Sequence, residues 1–146
     1  MNLNINQTKK RLLFVCVENS NRSQMAEAFA RLLGGEAVEA YSAGSAPSGV
    51  INPKAIQAMA ELGYDLTTHR STSLDVLPDV EFDFVATMGC GDRCPFIKAR
   101  QRTDWALIDP KHLAPDAYNA VRAQIEAHVR EALVSLGVLT ALASAD

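Results

Sequence analysis

The sequence predicts an α/β fold, a parallel sheet with helices on both faces. Short apolar runs alternate with helix-patterned segments along the chain, which is the pattern of a parallel sheet with helical crossovers. No internal repeat, low-complexity linker or shift in composition marks a second domain. Residues 1–146 therefore read as one domain, long enough to bury a core without staples. The ends, 1–10 and 138–146, are expected to be flexible.

The first strand is expected at Arg11 to Val17 and the first helix from Ser23 to about Leu33, stopped by Gly34-Gly35. A second strand covers Ala37 to Ser42 and closes at Ala43-Gly44. After a loop from Ser45 to Ile51, Asn52-Pro53 supplies a cap and a first-turn proline for a helix over Lys54 to Leu62. That helix is expected to bury Ile56, Met59 and Ala60 and to stop at Gly63. Residues 64–81 carry little period beyond a short helix near Leu74 to Leu77. Phe82 to Met88 reads as the third strand and Trp105 to Ile108 as a short fourth. A long helix follows from Pro115 or Asp116 to about Leu136, with Ala117, Val121, Ile125, Val129, Ala132 and Leu136 along its apolar face.

A net charge of −3 with 21% charged residues argues against general nucleic-acid binding. The short basic clusters Lys9 to Arg11 and Lys98 to Arg102 read as solvated edges of the fold. No apolar run reaches membrane-spanning length, and the first residues lack a signal core, so a cytoplasmic address is expected. Thiols stay reduced there, and three cysteines suit thiol chemistry better than a disulfide framework.

The most informative segment is Cys16-Val17-Glu18-Asn19-Ser20-Asn21-Arg22-Ser23, placed between the first strand and the first helix. Five residues between cysteine and arginine let a short loop curl so that backbone N–H groups and the Arg22 guanidinium face one tetrahedral oxyanion. Cys16 then lies beneath that anion as a nucleophile. A helix N-terminus and a neighbouring arginine are the setting in which a cysteine becomes a reactive thiolate. Ser23 is placed to hydrogen-bond the thiolate, and Asn19 and Ser20 to hold the loop through side-chain bonds to backbone. Glu18 would oppose an anion and is expected to face solvent. Glu27 is either an exposed carboxylate or a brace for the loop. A buried strand-end cysteine with an unrelated surface arginine is the bland alternative, disfavoured by the strand–loop–helix context.

Cys90 and Cys94 follow the third strand, at the same carboxyl edge as Cys16, where ligands bind in such sheets. Gly89 and Gly91 make the segment easy to bend. A zinc site would need four ligands, yet only His69, His112 and His128 are available besides the pair, at no finger-like spacing. Inert structural cysteines are a second alternative; a redox pair is favoured because all three thiols fall on one edge. Asp109, before Pro110, is placed to act as general acid toward a leaving oxygen, although Asp-Pro alone is ordinary turn chemistry. No metal site is assigned.

The loop, the following Gln24-Met-Ala-Glu, Tyr41-Ser-Ala-Gly, Asn52-Pro-Lys-Ala-Ile, the cysteine pair and the Trp105 to Pro110 segment together resemble the thioredoxin-coupled arsenate reductases. Those enzymes share the low-molecular-weight protein tyrosine phosphatase fold. The resemblance spans roughly residues 11 to 136 and implies a three-layer α/β/α domain on a four-stranded parallel sheet. It implies arsenate as substrate, with phosphate as competitor, and no bound cofactor. Cys16 matches the nucleophile, Arg22 the oxyanion clamp, Ser23 the thiolate-stabilising hydroxyl, Asn19 the loop-shaping asparagine and Asp109 the general acid. Cys90 and Cys94 match the second and third redox cysteines, regenerated by an external thiol system. Thioredoxin is the implied donor, with glutaredoxin or a small thiol as alternatives. Three departures stand out. The pair is separated by only three residues, and Asn21 occupies a position that is cysteine in some members. Some members also bind potassium near the loop. Asn19, Glu27 and Ser42 would suit that ion, but Arg70 stands where a small polar ligand is expected, so the ion is not predicted.

Two other functions share parts of this pattern. A phosphatase for phosphotyrosine or small phosphoesters shares the loop and the acid but has no need of Cys90 and Cys94. Lys111-His112 after Asp109-Pro110 also lacks the aromatic grip that a phenyl substrate calls for. A non-catalytic oxyanion or redox sensor would leave the joint presence of nucleophile, clamp, acid and thiol pair unexplained.

Overall fold

A computed structural model describes residues 9–89 and 97–140. Cys90 and Cys94 lie outside the described residues. Four parallel strands, β1 (Lys10–Cys16), β2 (Val38–Gly44), β3 (Phe82–Thr87) and β4 (Ala99–Asp104), form one sheet in the order β2-β1-β3-β4. Three helices accompany them: α1 (Arg22–Gly34), α2 (Pro53–Ala60) and α3 (Pro115–Ser135). Cys16 pairs in register with Gly44 at the end of the β1–β2 ladder, and Val15 with Thr87 at the end of β1–β3. From β1 the chain turns to one side for β2 and then returns across to β3 on the other. The carboxyl end of β1 is therefore the switch point where such sheets open a crevice.

Strand alternation sorts β1 between two apolar clusters. Leu12, Phe14 and Cys16 face a core with Met25 and Phe29 of α1, Met59 of α2, and Ile125, Val129 and Leu133 of α3. Leu13 and Val15 face the other side with Ala43, Phe82 and Val85, covered by Leu74, Leu77 and Val80. The segment carrying those residues has no helical period because it is built from three-residue 3-10 turns, Leu66–Thr68 and Leu74–Val76. Each turn is capped by its own Asx or Ser side chain.

Several boundaries differ from expectation. The fourth strand is Ala99–Asp104, not Trp105 to Ile108. It is the sheet's exposed edge, and its sequence Ala-Arg-Gln-Arg-Thr-Asp carries charge in place of apolar alternation, as edges that resist further pairing do. Trp105 instead leaves the sheet after its N–H donates to the Thr87 carbonyl at 2.9 Å. Its indole is buried against Phe14, Phe84 and the stacked ring of His128. Helix α2 buries Ala55, Ala58 and Met59; Ile56 is only half-buried and Ala60 is exposed. On α3, Tyr118 and Leu133 join the apolar face, whereas Ala117 is exposed. At the chain ends, Lys10 already pairs with Val38. Past α3, Gly137 adopts φ +81° and the Val138 N–H returns to the Leu133 carbonyl at 2.9 Å. This capping turn folds Val138 and Leu139 onto the core.

Candidate active site

The loop from Cys16 to Ser23 is set by what its carbonyls bond. The carbonyls of Cys16, Val17 and Glu18 accept from Ser45, Ala46 and Ser48, and that of Ser20 from Asn52. The backbone N–H groups of residues 18–22 have no acceptor among the described residues. Carbonyls turned out and amides turned in make a nest for an anion, and the N-terminus of α1 adds its own dipole. Close packing of β2 against the loop requires Gly44, because a Cβ there would run into the Val17 carbonyl and the Asn19 amide.

Asn19 holds the strained point of the curl at φ +51°, a left-handed conformation that asparagine tolerates better than most residues. Its Oδ1 accepts from Thr72 N–H at 2.8 Å and from Gln24 Nε2 at 2.9 Å. The amide nitrogen is thereby turned to Ser23, donating to Oγ at 2.8 Å. Ser23 Oγ lies 2.9 Å from Cys16 Sγ. With one lone pair of Ser23 taken by Asn19, the hydroxyl proton is free for sulfur. This is the geometry that stabilises a thiolate.

A cleft of about 240 Å3 opens above Cys16, lined by Val17, Glu18, Ser20, Asn21, Arg22, Gly89 and Asp109. Arg22 crosses it nearly buried, donating from Nη1 to the Leu107 carbonyl at 3.0 Å with Nη2 3.9 Å from Asp109 Oδ2. Gly89, at φ +80°, passes so close beneath the guanidinium that a side chain there would meet it. Asp109 is half-exposed, and its Oδ1 accepts from Lys111 N–H at 3.1 Å, leaving Oδ2 toward the cleft. Glu18 is also half-exposed and pairs with Lys111 at 3.3 Å.

Of the residues expected in the site, Cys16, Val17, Glu18, Ser20, Asn21, Arg22 and Asp109 thus line one cleft, and Asn19 and Ser23 lie fully buried beneath it. Several supports were not singled out from sequence. Gln24 and Thr72 orient Asn19 as described. Tyr118, on α3, donates to Asn21 Oδ1 at 2.7 Å. Burial pushes the Tyr118 hydroxyl well up, aided by the Asp109 charge, so it remains a donor. Lys54 Nζ donates to the carbonyls of Lys111 and Leu113 at 2.8 and 3.4 Å, tying α2 to the segment that carries Asp109. Glu27 is the brace rather than the exposed acid, accepting from Ser42 Oγ at 2.6 Å and from Arg31 at 2.9 Å. The residues that would suit potassium are committed otherwise: Asn19 Oδ1 to two N–H groups, Ser42 to Glu27, and Glu27 to the Arg31 guanidinium.

A reactive-cysteine loop at the switch point of a four-stranded parallel sheet, with an arginine clamp and a carboxylate across the cleft, defines a class of oxyanion-handling cysteine enzymes. The family model for low molecular weight phosphotyrosine protein phosphatases matches residues 11–141, and the chain belongs to that family. An arsenate reductase of Staphylococcus xylosus is 38% identical over 121 residues, covering 81% of this chain and 92% of its own. A glutaredoxin arsenate reductase of Synechocystis is 33% identical over 130 residues, covering 87% and 98%. Among solved structures, an arsenate reductase in the phosphate binding state superposes with a TM-score of 0.79 at 32% identity, covering 86% of this chain and 98% of that one.

Proposed function

We propose that the protein is an arsenate reductase. The observation that carries the thiolate chemistry is the directed Asn19–Ser23–Cys16 chain at the floor of an anion nest, beneath Arg22 and opposite Asp109, and the Cys90/Cys94 pair sets the reductase apart from a phosphatase with the same loop. Relatives of similar length named arsenate reductase support the choice of substrate. Phosphate has the same shape and charge and competes for the cleft.

In this mechanism the nest and Arg22 hold the arsenate oxygens while the Cys16 thiolate attacks arsenic. A sulfur–arsenic bond forms and one arsenic–oxygen bond breaks, with Asp109 giving the departing oxygen a proton. Cys90, as thiolate, then attacks the Cys16 sulfur. The sulfur–arsenic electron pair passes to arsenic, which leaves as arsenite, reduced by two electrons, and a Cys16–Cys90 disulfide remains. Cys94 attacks Cys90, which frees the Cys16 thiolate and transfers the disulfide to Cys90–Cys94. Gly89, immediately before Cys90 in sequence, lines the cleft, which favours a relay starting there. An external dithiol of the thioredoxin type closes the cycle, and a cytoplasmic setting keeps that donor reduced. Among the described residues no helix is long and apolar enough to cross a membrane. The family's phosphatases use the same loop, but Cys90 and Cys94 would then have no task.

The test is arsenate-dependent NADPH oxidation coupled through thioredoxin and its reductase, for wild type and for Cys16→Ser, Cys90→Ser and Cys94→Ser. Turnover in wild type and loss of at least about a hundredfold in each variant is expected, since each thiol takes part in a covalent step. Turnover only with glutaredoxin or a small thiol would replace the donor. Cleavage of a phosphoester without arsenate reduction would overturn the reading.

A further inference from the structure

Asn21 stands at the cap position of α1 but does not cap it. An asparagine there ordinarily turns Oδ1 back onto a free amide of its own helix. The backbone of Asn21, at φ −125° and ψ −84°, is not the extended one that such a cap uses, and no side-chain cap bond forms. Oδ1 is taken from outside instead, by the Tyr118 hydroxyl of α3 at 2.7 Å. We propose that Asn21 is a further anion-binding residue, its side-chain nitrogen donating to an oxygen of the bound oxyanion, and that Tyr118 is the positioning residue that aims it. This rests on the reading of the Cys16 loop as an oxyanion nest and adds a side-chain donor to the backbone ones.

The amide has one acceptable sense. Tyr118 is 3% exposed and its hydroxyl keeps its proton. As found, that proton goes to Oδ1 and both groups are satisfied. Flipped, the amide nitrogen would donate to the phenol oxygen and the phenol proton would lose its acceptor in the core. Stranding a buried donor costs more than one hydrogen bond returns.

Nδ2 is then the open end of the side chain. It has no acceptor among the described residues. Nor is it walled in, for the only buried side-chain polar atom without a partner among those residues is Ser45 Oγ. Asn21 is 6% exposed, and it lines the cleft over Cys16 together with Arg22 and Asp109. A donor left unpaired at the wall of that cleft finds its acceptor in what enters. A bond that merely tied α3 to the loop would need only an acceptor at position 21 and would act on stability alone. A donor and its aim act on the anion.

The experiment is titration of the full chain with inorganic phosphate, which matches arsenate in shape and charge. Calorimetry gives Kd for wild type, Asn21→Ala, Tyr118→Phe and the double variant, with melting temperatures without phosphate alongside. Proton–nitrogen correlation spectra of the wild type follow the Asn21 side-chain amide pair, assigned through its own backbone. Kd is expected to rise about fivefold in Asn21→Ala, the worth of one hydrogen bond to a charged group at an open site. In Tyr118→Phe, where the amide is present but no longer held, it rises about twofold. In the Asn21→Ala background Tyr118→Phe adds nothing to Kd, because it acts through that amide. The side-chain amide protons are expected to move downfield with phosphate, in step with the backbone amides of residues 18–22, and this carries the test if a variant does not fold. A side-chain pair that stays still while those amides move overturns the proposal. So does a wild-type Kd in Asn21→Ala, or a Tyr118→Phe effect that persists in the double variant. A wild type that binds no phosphate, with loop amides that do not move, would instead remove the anion-nest reading on which the proposal rests.

Discussion

The two sides of the cleft are held in different ways. On the nucleophile side Asn19 and Ser23 are fully buried and bonded to each other, and the loop's outward carbonyls are taken by the 45–52 segment. On the acid side, residues 106, 108 and 109 are exposed, Ile108 to 68%, and the segment is held by a few bonds reaching across from Arg22, Lys54 and Glu18. A thiolate needs donors fixed before substrate arrives, because reorganising them during the reaction would forfeit their effect. The acid must admit arsenate and release arsenite, and an exposed segment with few buried contacts opens at small cost. Rigidity is concentrated where charge is stabilised, and looseness where molecules pass.

The sharpest way to break that contrast is Asn19→Ala. It removes the acceptor for Thr72 and Gln24, removes the donor to Ser23, and leaves alanine at a positive φ. A buried asparagine with this many partners is expected to cost about 2–4 kcal/mol of stability on urea unfolding. Arsenate turnover should fall by about a hundredfold with it, as oxyanion-site deletions commonly do. A loss below about 1 kcal/mol, the scale of a single net hydrogen bond, would mean that the loop is held by its backbone alone.

That same residue marks where sequence reasoning stops. Cys16, Asn19, Arg22 and Ser23 are legible because a strand end and a helix start fix them within eight residues. The partners that orient Asn19 are not. Thr72 is 53 residues away, in a segment of 3-10 turns too short to show a period. In sequence His69 offers only an unconvincing zinc ligand, and Gln24 only a place in a motif without a task. The fourth strand was hidden for the opposite reason. Its residues face water, so apolar alternation, the signal that revealed the other three, is absent, and the buried Trp105 drew the assignment past it. Glu27 reads equally as brace or surface acid in sequence because Ser42, its partner, is brought to it only by the β1–β2 pairing.

A change on the other side of the cleft should separate activity from stability. Lys54→Met keeps the aliphatic stem and deletes the bonds to the Lys111 and Leu113 carbonyls. Those carbonyls can turn to water, so the melting temperature should move by no more than about 2 °C. The segment carrying Asp109 then loses its tie to α2, and kcat should fall by about threefold to tenfold from misplacement of the acid. Steady-state kinetics beside a thermal melt decide the matter. A loss of stability as large as that of Asn19→Ala would show that the acid segment belongs to the cooperative core, and the contrast between the two sides would fail.

The smallest effect concerns the only side-chain ion pair among the described residues that joins Glu18 of the loop to the acid segment. Glu18 and Lys111 are both more than a third exposed, so water and salt weaken their attraction and their contribution to stability is about 0–1 kcal/mol. The pair matters more for charge at the cleft. Glu18 sets a negative group beside an anion nest and also occupies the Lys111 ammonium. Glu18→Gln removes the repulsion and frees the lysine, so both consequences favour arsenate. The KM is expected to fall by about twofold at low salt, with the difference vanishing near 0.5 M salt as the charges are screened. A KM that rises instead, and stays raised at high salt, would mean that the Lys111 contact acts by holding Asp109 in place. The acid side would then be built more like the nucleophile side than its exposure implies.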